Sequence, residues 1–232
     1  MGLESIKSSV LFEDNHLIII NKKPSQIVQG DQTGDKPLSD IIKDYIKEVY
    51  KKPGEVFLGV VHRLDRPVSG AVIFARTSKA LTRLNEKIKN REIQKTYWAV
   101  VKNKPSNESG TIVSYLRRDE AKNKSFVSNS PKPNTQLASL SYKLVASSDN
   151  YFLLEIDLQT GRHHQIRAQL ASIGCPIKGD LKYGYPRSNQ DSSIHLHARK
   201  LKFIHPVSLN LIEITAPTPV DPIWNYFEQV II

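Results

Sequence analysis

The feature that most constrains this chain is a polar motif that leads directly into an uninterrupted apolar run. Residues 62–70 read HRLDRPVSG, and residues 71–75 read AVIFA. A short apolar run bounded by turn-forming residues favours a buried strand, and Pro67 and Gly70 constrain the backbone just before it. The motif therefore predicts that Asp65 is a fixed carboxylate at the edge of a buried strand, where it would be a poor base at neutral pH but a usable nucleophile.

The charges around Asp65 allow two interpretations. Arg63 and Arg66 are permanently charged, so their guanidinium groups would favour the ionised form of Asp65 if they lie close to it. The same cluster is also typical of an ordinary surface ion pair. The motif alone does not decide between an ion pair and a reactive carboxylate, and two further segments bear on the choice.

These segments lie downstream and are rich in polar and aromatic residues. Residues 95–101 read KTYWAVV. Residues 160–167 read TGRHHQIR, and GCPIKGD at 174–180 and YG at 183–184 follow them. In this order and spacing, the three stretches resemble the RluA-type pseudouridine synthases, which carry HRLD-x-x-[TS]-SG, a K-x-Y-x-A-like strand, and TGR-x-HQIR leading to GD-x-x-YG.

The resemblance covers nearly the whole chain and implies a fold and a function. The implied fold is of the α/β (α+β) class, with a mixed, mostly antiparallel central sheet and flanking helices and loops around a catalytic cleft. The implied activity is that of an RNA pseudouridine synthase, an isomerase that converts uridine to pseudouridine in transfer or ribosomal RNA stem-loops. About nine residues precede the first predicted strand, so we expect the compact form, without the S4-like RNA-binding domain that family members often carry at the N-terminus.

The resemblance also implies roles for individual residues. Asp65 is the expected nucleophile, and Tyr97 is expected to stack on the uracil of a flipped-out uridine. Arg167 is expected to pair with Asp65, and Arg63 to occupy the space that the flipped base leaves. Three further residues are expected to bind substrate, and they are His62, Arg162 and His164. Attack on the ribose carbon, attack on uracil C6 and stabilisation of a glycal route all remain open for Asp65.

Three positions depart from the family pattern. Val68 and His163 stand where threonine is usual, and Gln169 stands where histidine is common. None of these three residues has the role expected of the Asp65 carboxylate, the Tyr97 phenol or the Arg167 guanidinium. The departures therefore weaken the assignment to a subtype more than the assignment of the reaction.

Composition limits the partners and the compartment. The chain has 232 residues, a net charge of +10 and a pI of about 9.6, which favours a polyanionic partner, either nucleic acid or an acidic membrane. No apolar run approaches the ~20 residues that a membrane span needs. The single cysteine, Cys175, excludes an internal disulfide and fits a reducing cytoplasm. We expect one domain over residues 1–232, a monomer without an obligatory protein partner, and no cofactor or metal, since the isomerisation has no redox step.

Two other functions fit parts of the sequence. A catalytically inactive RNA-binding protein would need only the basic surface, although the joint presence of Asp65, Tyr97 and Arg167 argues against it. A metal-dependent phosphoesterase could use the side chains of four residues, namely His163, Asp180, His195 and His197. Such an enzyme would need several carboxylates at ligand geometry, and few acidic residues lie near these histidines in the sequence.

Periodicity predicts the elements around these motifs. We expect a hairpin of 10–12 and 17–20 around a turn capped by Asp14, and a helix from Pro37 that Pro53 ends. We expect further strands at 56–61, 94–101, 111–116, 137–145, 152–158 and 209–214, and another that begins at His195. We also expect a helix capped by Ser78, a helix with Ile166, Leu170 and Ile173 on its core face, a short helix with Trp224 and Phe227, and a mobile loop over 117–134.

Overall fold

A computed structural model describes residues 3–231 of the chain and gives them five α-helices and eleven β-strands. In chain order these are α1 (Leu3–Lys7), β1 (Val10–Glu13), β2 (Leu17–Lys22), α2 (Leu38–Val49), β3 (Gly59–Val60), β4 (Ser69–Ala75), α3 (Ser78–Lys89), β5 (Gln94–Val101), β6 (Ser109–Asp119), β7 (Lys124–Ser128), β8 (Gln136–Ser147), β9 (Phe152–Leu158), α4 (Gln165–Ser172), β10 (Leu196–Ile204), β11 (Leu211–Thr215) and α5 (Pro222–Ile231). A single 3-10 turn, Leu181–Tyr183, follows α4. The predicted mixed α/β class with a mostly antiparallel sheet is confirmed.

The chain divides into two compact units. Unit 1 contains the chain up to Ile93 together with Ala198–Pro217, and unit 2 contains Gln94–His197 and the chain from Thr218 onward. Strand β10 begins in unit 2 and continues in unit 1. The expectation of a single domain stays a prediction, and each unit is described by itself.

Unit 1 is built on a sheet with the strand order β1–β2–β4–β10, in which β3 also pairs with β4 and β11 with β10. Every residue of β4 is buried, and the strand pairs with β2 along most of its length, with Ile73 opposite Ile19. The predicted β1–β2 hairpin is confirmed. Its turn is capped by Asp14, whose Oδ1 accepts hydrogen bonds from the backbone N–H groups of His16 and Leu17, each at 2.7 Å.

Gly70 is required where the polar motif enters β4. Its φ is +116°, and a Cβ at this position would lie 2.4 Å from the carbonyl oxygen of Ala198 in β10. A side chain there would clash with backbone, and an L-residue would also be strained at this φ. The glycine therefore lets β10 approach the start of β4, directly after the Asp65 motif.

The helices of unit 1 differ from prediction in small ways. Helix α2 is present as expected, but the strand expected over 56–61 is reduced to the two residues of β3. The N-cap of α3 is Thr77 and not Ser78, because the Thr77 side chain accepts a hydrogen bond from the N–H of Ala80. Leu84 and Ala80 then pack onto Ile73 in the core of the unit.

Unit 2 is built on an antiparallel sheet with the strand order β5–β9–β8–β6–β7. The predicted pairing of 137–145 with 152–158 is confirmed by β8 and β9. The predicted C-terminal helix is also confirmed, as α5. Its Trp224 and Phe227 are buried against Trp98 and Val100, two side chains on one face of β5.

The prediction of a mobile loop over residues 117–134 is wrong for much of the segment. Strand β6 continues to Asp119, and β7 returns along it with Phe126 opposite Arg117. The hairpin is fastened by Ser125, which is buried and donates its backbone N–H to the hydroxyl of Tyr183 at 2.8 Å. This anchor lies 58 residues away in the chain, so the polar composition of the segment gave no sign of it.

The TGR segment leads into α4, whose core face is shorter than predicted. Ile166 and Leu170 are buried, but Ile173 is 38% exposed. It is the C-cap residue, and Gly174 follows with a φ of +78°, as expected for a helix stop. None of the helices within residues 3–231 has the length and apolarity that a bilayer crossing demands.

Candidate active site

The residues predicted from the sequence to form the site fall into both units. His62, Arg63 and Asp65 belong to unit 1, whereas Tyr97, Arg162, His164 and Arg167 belong to unit 2. The surroundings of these residues are therefore described within unit 1 first and within unit 2 second.

Asp65 lies half-buried in a tight turn immediately before β4. Its backbone carbonyl accepts a hydrogen bond from the N–H of Val68 at 3.0 Å. On the preceding side, the Nε2 atom of His62 accepts a hydrogen bond from the backbone N–H of Ile73 at 3.2 Å. His62 therefore holds the segment before Asp65 against β4, and this contact requires Nε2 to be unprotonated.

The two arginines around Asp65 lie at the surface of unit 1. Arg66 places its guanidinium 2.5 Å from Asp35, and both side chains are about half exposed. Arg63 is exposed and makes no hydrogen bond or ion pair with any residue from 3 to 231. Within the described residues, the carboxylate that Arg66 binds is therefore that of Asp35, and both arginine side chains extend to the surface.

Lys22 is the buried cation of this region. It is completely buried, and its ammonium group donates hydrogen bonds to three backbone carbonyls, those of Gln26 at 2.8 Å and of Lys23 and Arg66 at 3.1 Å. Burial lowers the pKa of Lys22 to about 7, against the opposing effect of the Asp65 carboxylate. Lys22 thus links the loop after β2 to the residue that follows Asp65.

In unit 2, Tyr97 lies on β5 opposite Ile156 of β9 and is buried. Side chains alternate along a strand, so Tyr97 points away from the face on which Trp98 packs against α5. Lys95 shares the Tyr97 face. The predicted alternation of β5 is confirmed by the burial of Trp98 in the α5 core.

The TGR turn is held together by the side chain of Gln165, the first residue of α4. Its Oε1 accepts hydrogen bonds from the hydroxyl of Thr160 at 2.8 Å and from the backbone N–H of Arg162 at 3.0 Å. Its Nε2 donates to the carbonyl of Ser139 in β8. Arg162 itself is exposed and donates from Nε to the carbonyl of Leu137. The turn is therefore rigid, while the Arg162 side chain lies at the surface.

His164 precedes α4 in a left-handed conformation, with a φ of +52°. Its ring stacks on that of His163 at 3.8 Å, and its Nδ1 lies 3.0 Å from the hydroxyl of Tyr183. Burial, reinforced by the charge of Arg167, lowers the pKa of His164 to about 2. The imidazole is therefore neutral at physiological pH, and a hydrogen bond joins it to Tyr183; the expected contact of His164 with substrate stays a prediction.

Arg167 is buried in α4 and is bound by a carboxylate of its own unit. Its Nε and Nη2 donate to Oδ2 and Oδ1 of Asp180 at 2.7 and 2.8 Å, and both side chains are almost fully buried. The guanidinium also lies over the ring of Tyr183, 5.1 Å from its centroid. The pairing of Arg167 with Asp65 stays a prediction, and a firmly held cation is what that role requires.

The structure adds three residues to which the sequence assigned no such role. Asp180 binds Arg167, Tyr183 joins His164 to the β6–β7 hairpin, and Lys22 joins two loops beside Asp65. The sequence pointed to Asp180 and Tyr183, since both belong to the GD-x-x-YG motif. Lys22 had a weaker signal, a lysine at the end of a strand that begins with four apolar residues.

The residues proposed for a metal-dependent phosphoesterase are engaged elsewhere. His195 lies 3.0 Å from both Asp221 and Asn189, and burial lowers its pKa. Asp180 binds Arg167, and His163 contacts Ser125 and Asn123. Across residues 3–231, no three His, Cys, Asp or Glu side chains are grouped so that they could hold a metal ion, so that alternative gains no support from the geometry.

Comparison with known proteins agrees with the arrangement of motifs. The family profile described as RNA pseudouridylate synthase matches residues 16–172. An uncharacterized RNA pseudouridine synthase of Bacillus subtilis, YhcT, is 35% identical over 91% of this chain and 69% of its own length. Ribosomal large subunit pseudouridine synthase C of Buchnera aphidicola is 32% identical over 98% of this chain and 72% of its own.

The fold has a close counterpart among solved structures. Human RNA pseudouridylate synthase domain containing 4 superposes with a TM-score of 0.78 at 22% identity, over 99% of this chain and 95% of the human chain. At that identity the likeness concerns the fold alone, and the family profile and the bacterial relatives carry the assignment. The chain belongs to the RNA pseudouridylate synthase family, whose members are isomerases that convert uridine in RNA to pseudouridine.

Proposed function

We propose that Asp65 is the nucleophile with which this enzyme isomerises a uridine in structured RNA. In the reaction the bond between uracil N1 and ribose C1′ breaks, the uracil turns, and C5 bonds to C1′. C5 then loses its proton and N1 gains one, so the product has the composition of the substrate. A carboxylate can take part by attacking C1′, by attacking uracil C6, or by stabilising a glycal route.

The observation that carries this proposal is the way the Asp65 turn is held. The Arg66 carbonyl, one residue after Asp65, accepts hydrogen bonds from both the Lys22 ammonium and the backbone N–H of Ser25. His62 fixes the other side of the turn against β4. Holding the reacting group in one geometry lowers the entropic part of the barrier, and a simple surface ion pair has no need of such support.

The remaining motif residues are assigned to binding the substrate. Tyr97 stacks on the flipped uracil and Arg167 supplies positive charge for Asp65, as the family resemblance implies. Arg63, which is exposed and unpaired within residues 3–231, fills the space left by the base. His62, Arg162 and His164 complete the set as residues that bind or shape the substrate site.

The proposed substrate is a stem-loop of ribosomal or transfer RNA. Proteins that read RNA sequence mostly bind unpaired bases, and flipping costs least where the base is already unpaired. Ribosomal RNA is favoured by the name of the Buchnera relative, ribosomal large subunit pseudouridine synthase C. We further propose that the enzyme acts in the cytoplasm as a monomer, without an obligatory protein partner and without a cofactor or metal.

The experiment is a map of pseudouridines in RNA from cells with and without this protein. A stem-loop excised around a uridine that loses its modification then serves as substrate for purified protein. Asp65→Asn is expected to release no tritium from uracil labelled at C5, because the amide keeps the shape but is neither an anion nor a useful nucleophile.

Asp35→Asn is the matched control, because it removes another carboxylate of the same unit at an exposed position. It is expected to keep wild-type activity, and both variants are expected to bind the stem-loop in a gel-shift assay. Turnover by Asp65→Asn within tenfold of wild type would exclude the assigned nucleophile. If cells without this protein keep every pseudouridine of the wild type, and the purified protein still binds RNA, the chain would instead be a catalytically inactive RNA-binding protein.

A further inference from the structure

Lys95 is a partly buried cation that has no assigned role in the proposed reaction. It is half-buried on β5, two residues before Tyr97 and on the same face of the strand. A Cβ added to Gly161 would lie 3.7 Å from its Nζ atom. The ammonium group therefore lies beside the backbone of the TGR turn.

Other enclosed cations of the structure have protein partners. Lys22 donates to three carbonyls, Arg167 is bound by Asp180, and Arg76 lies 2.9 Å from Glu13. Lys95 makes no hydrogen bond or ion pair with any residue between 3 and 231. Burial alone lowers its pKa, and no neighbouring carboxylate opposes that effect.

The strand register explains why no acid reaches Lys95. The two acidic residues of β9 are Glu155 and Asp157, which pair with Trp98 and Thr96. Side chains of directly paired residues share one face of a sheet, so both acids lie on the face opposite to Lys95. Glu155 is in addition bound by the indole N–H of Trp98.

A cation that loses water and gains no partner destabilises the folded protein. Such a position is expected where the missing partner is a ligand, and an anionic ligand would compensate the positive charge as well as accept its hydrogen bonds. We propose that Lys95 binds a phosphate of the RNA backbone beside the uridine that Tyr97 receives. The inference rests on the proposed function, since RNA is taken as the substrate and is taken to approach the Tyr97 face of β5.

The test is the salt dependence of RNA binding, with Lys95→Met as the variant. Methionine keeps the aliphatic stem and removes the charge. Each lost phosphate contact lowers the slope of log K against log salt concentration by about 0.7 on single strands and about 0.9 on duplex. The probe is a labelled stem-loop RNA with a uridine-rich loop. Between about 50 and 200 mM salt, the affinity of the wild type should fall about threefold more than that of Lys95→Met.

Two controls accompany this variant. Lys95→Arg restores the charge and should restore the slope. Lys102→Met removes an exposed lysine just past the other end of β5 and should leave the slope at the wild-type value. Thermal unfolding of Lys95→Met should occur at the wild-type temperature or above it, because the variant loses a desolvated charge and no protein contact.

The outcomes separate this inference from the function it builds on. An unchanged slope would overturn the phosphate contact, and an equal loss of affinity at every salt concentration would assign Lys95 to a base instead. A lower unfolding temperature with an unchanged slope would give Lys95 a structural role. Binding is measured without turnover and can be repeated in the Asp65→Asn protein, so a failed nucleophile assignment would not alter the result.

Discussion

Lys22 in unit 1 and Arg167 in unit 2 are both buried cations, and their positive charges are accommodated by different means. Lys22 donates to three backbone carbonyls, whereas Arg167 donates two parallel hydrogen bonds to one carboxylate. Carbonyl dipoles solvate an ammonium group without neutralising it. Burial lowers the pKa of Lys22 to about 7 in spite of these hydrogen bonds, while an arginine remains charged at any pH at which the protein is folded.

The difference also concerns what each cation holds in place. The partners of Lys22 belong to two loops, at Lys23–Gln26 and at Arg66, so one side chain joins loops that meet beside Asp65. Arg167 joins a helix to the single turn that carries Asp180. Lys22 thus supports the geometry of a turn, and Arg167 provides a permanent charge.

The largest effect is expected from Arg167→Ala. It leaves the buried carboxylate of Asp180 without its partner, and breaking a buried pair in this way typically costs ~3–5 kcal/mol. The free energy of unfolding, measured with urea, should fall by that amount. The double variant Arg167→Leu with Asp180→Leu should recover much of it, because no uncompensated charge remains. A double variant as unstable as the single one would show that the ion pair is not the source of the loss.

A smaller loss is expected from Lys22→Met. At pH 7 the variant leaves buried carbonyls without their donor, which costs about 1–3 kcal/mol. The measurement is the free energy of unfolding of both proteins.

The pH dependence of this difference distinguishes the two cations. The unfolded chain binds a proton at Lys22 up to pH 10.5, whereas the folded chain releases it above about pH 7. Between these values the unfolded state holds more protons, so the stability of the wild type should rise with pH relative to Lys22→Met, by at most ~1.4 kcal/mol per pH unit. The difference between wild type and Arg167→Ala should show no such slope. Parallel pH profiles of wild type and Lys22→Met would mean that the ammonium is not desolvated.

The smallest effect is expected from Arg66→Ala. The Arg66–Asp35 pair is about half exposed, and exposed pairs contribute ~0–1 kcal/mol. The backbone carbonyl that receives Lys22 survives the substitution. Arg66→Ala and the matched variant Asp35→Ala should therefore unfold within ~1 kcal/mol of wild type. A loss as large as that of Lys22→Met would show that the guanidinium, and not the carbonyl, supports the Asp65 turn.

Local periodicity in the sequence determined the elements and the positions of the motifs on them. The alternation of 94–101 predicted β5 with its correct bounds, and the apolar run at 71–75 predicted the fully buried β4. The caps at Asp14 and Gly174 were also predicted, because a turn or helix stop depends on residues within a few positions. The family and its reaction followed from the spacing of three motifs.

Only the tertiary structure decided which partner each charged side chain has. Arg66 binds Asp35, 31 residues away, and Lys22 binds a carbonyl 44 residues away. Asp180 binds Arg167, and Tyr183 fastens the β6–β7 hairpin from 58 residues away. The sequence shows that these groups carry charge or hydrogen-bonding capacity. Which of several possible partners comes within about 3 Å depends on how distant strands and turns pack, because a hydrogen bond forms only at short distance and in a narrow range of angles.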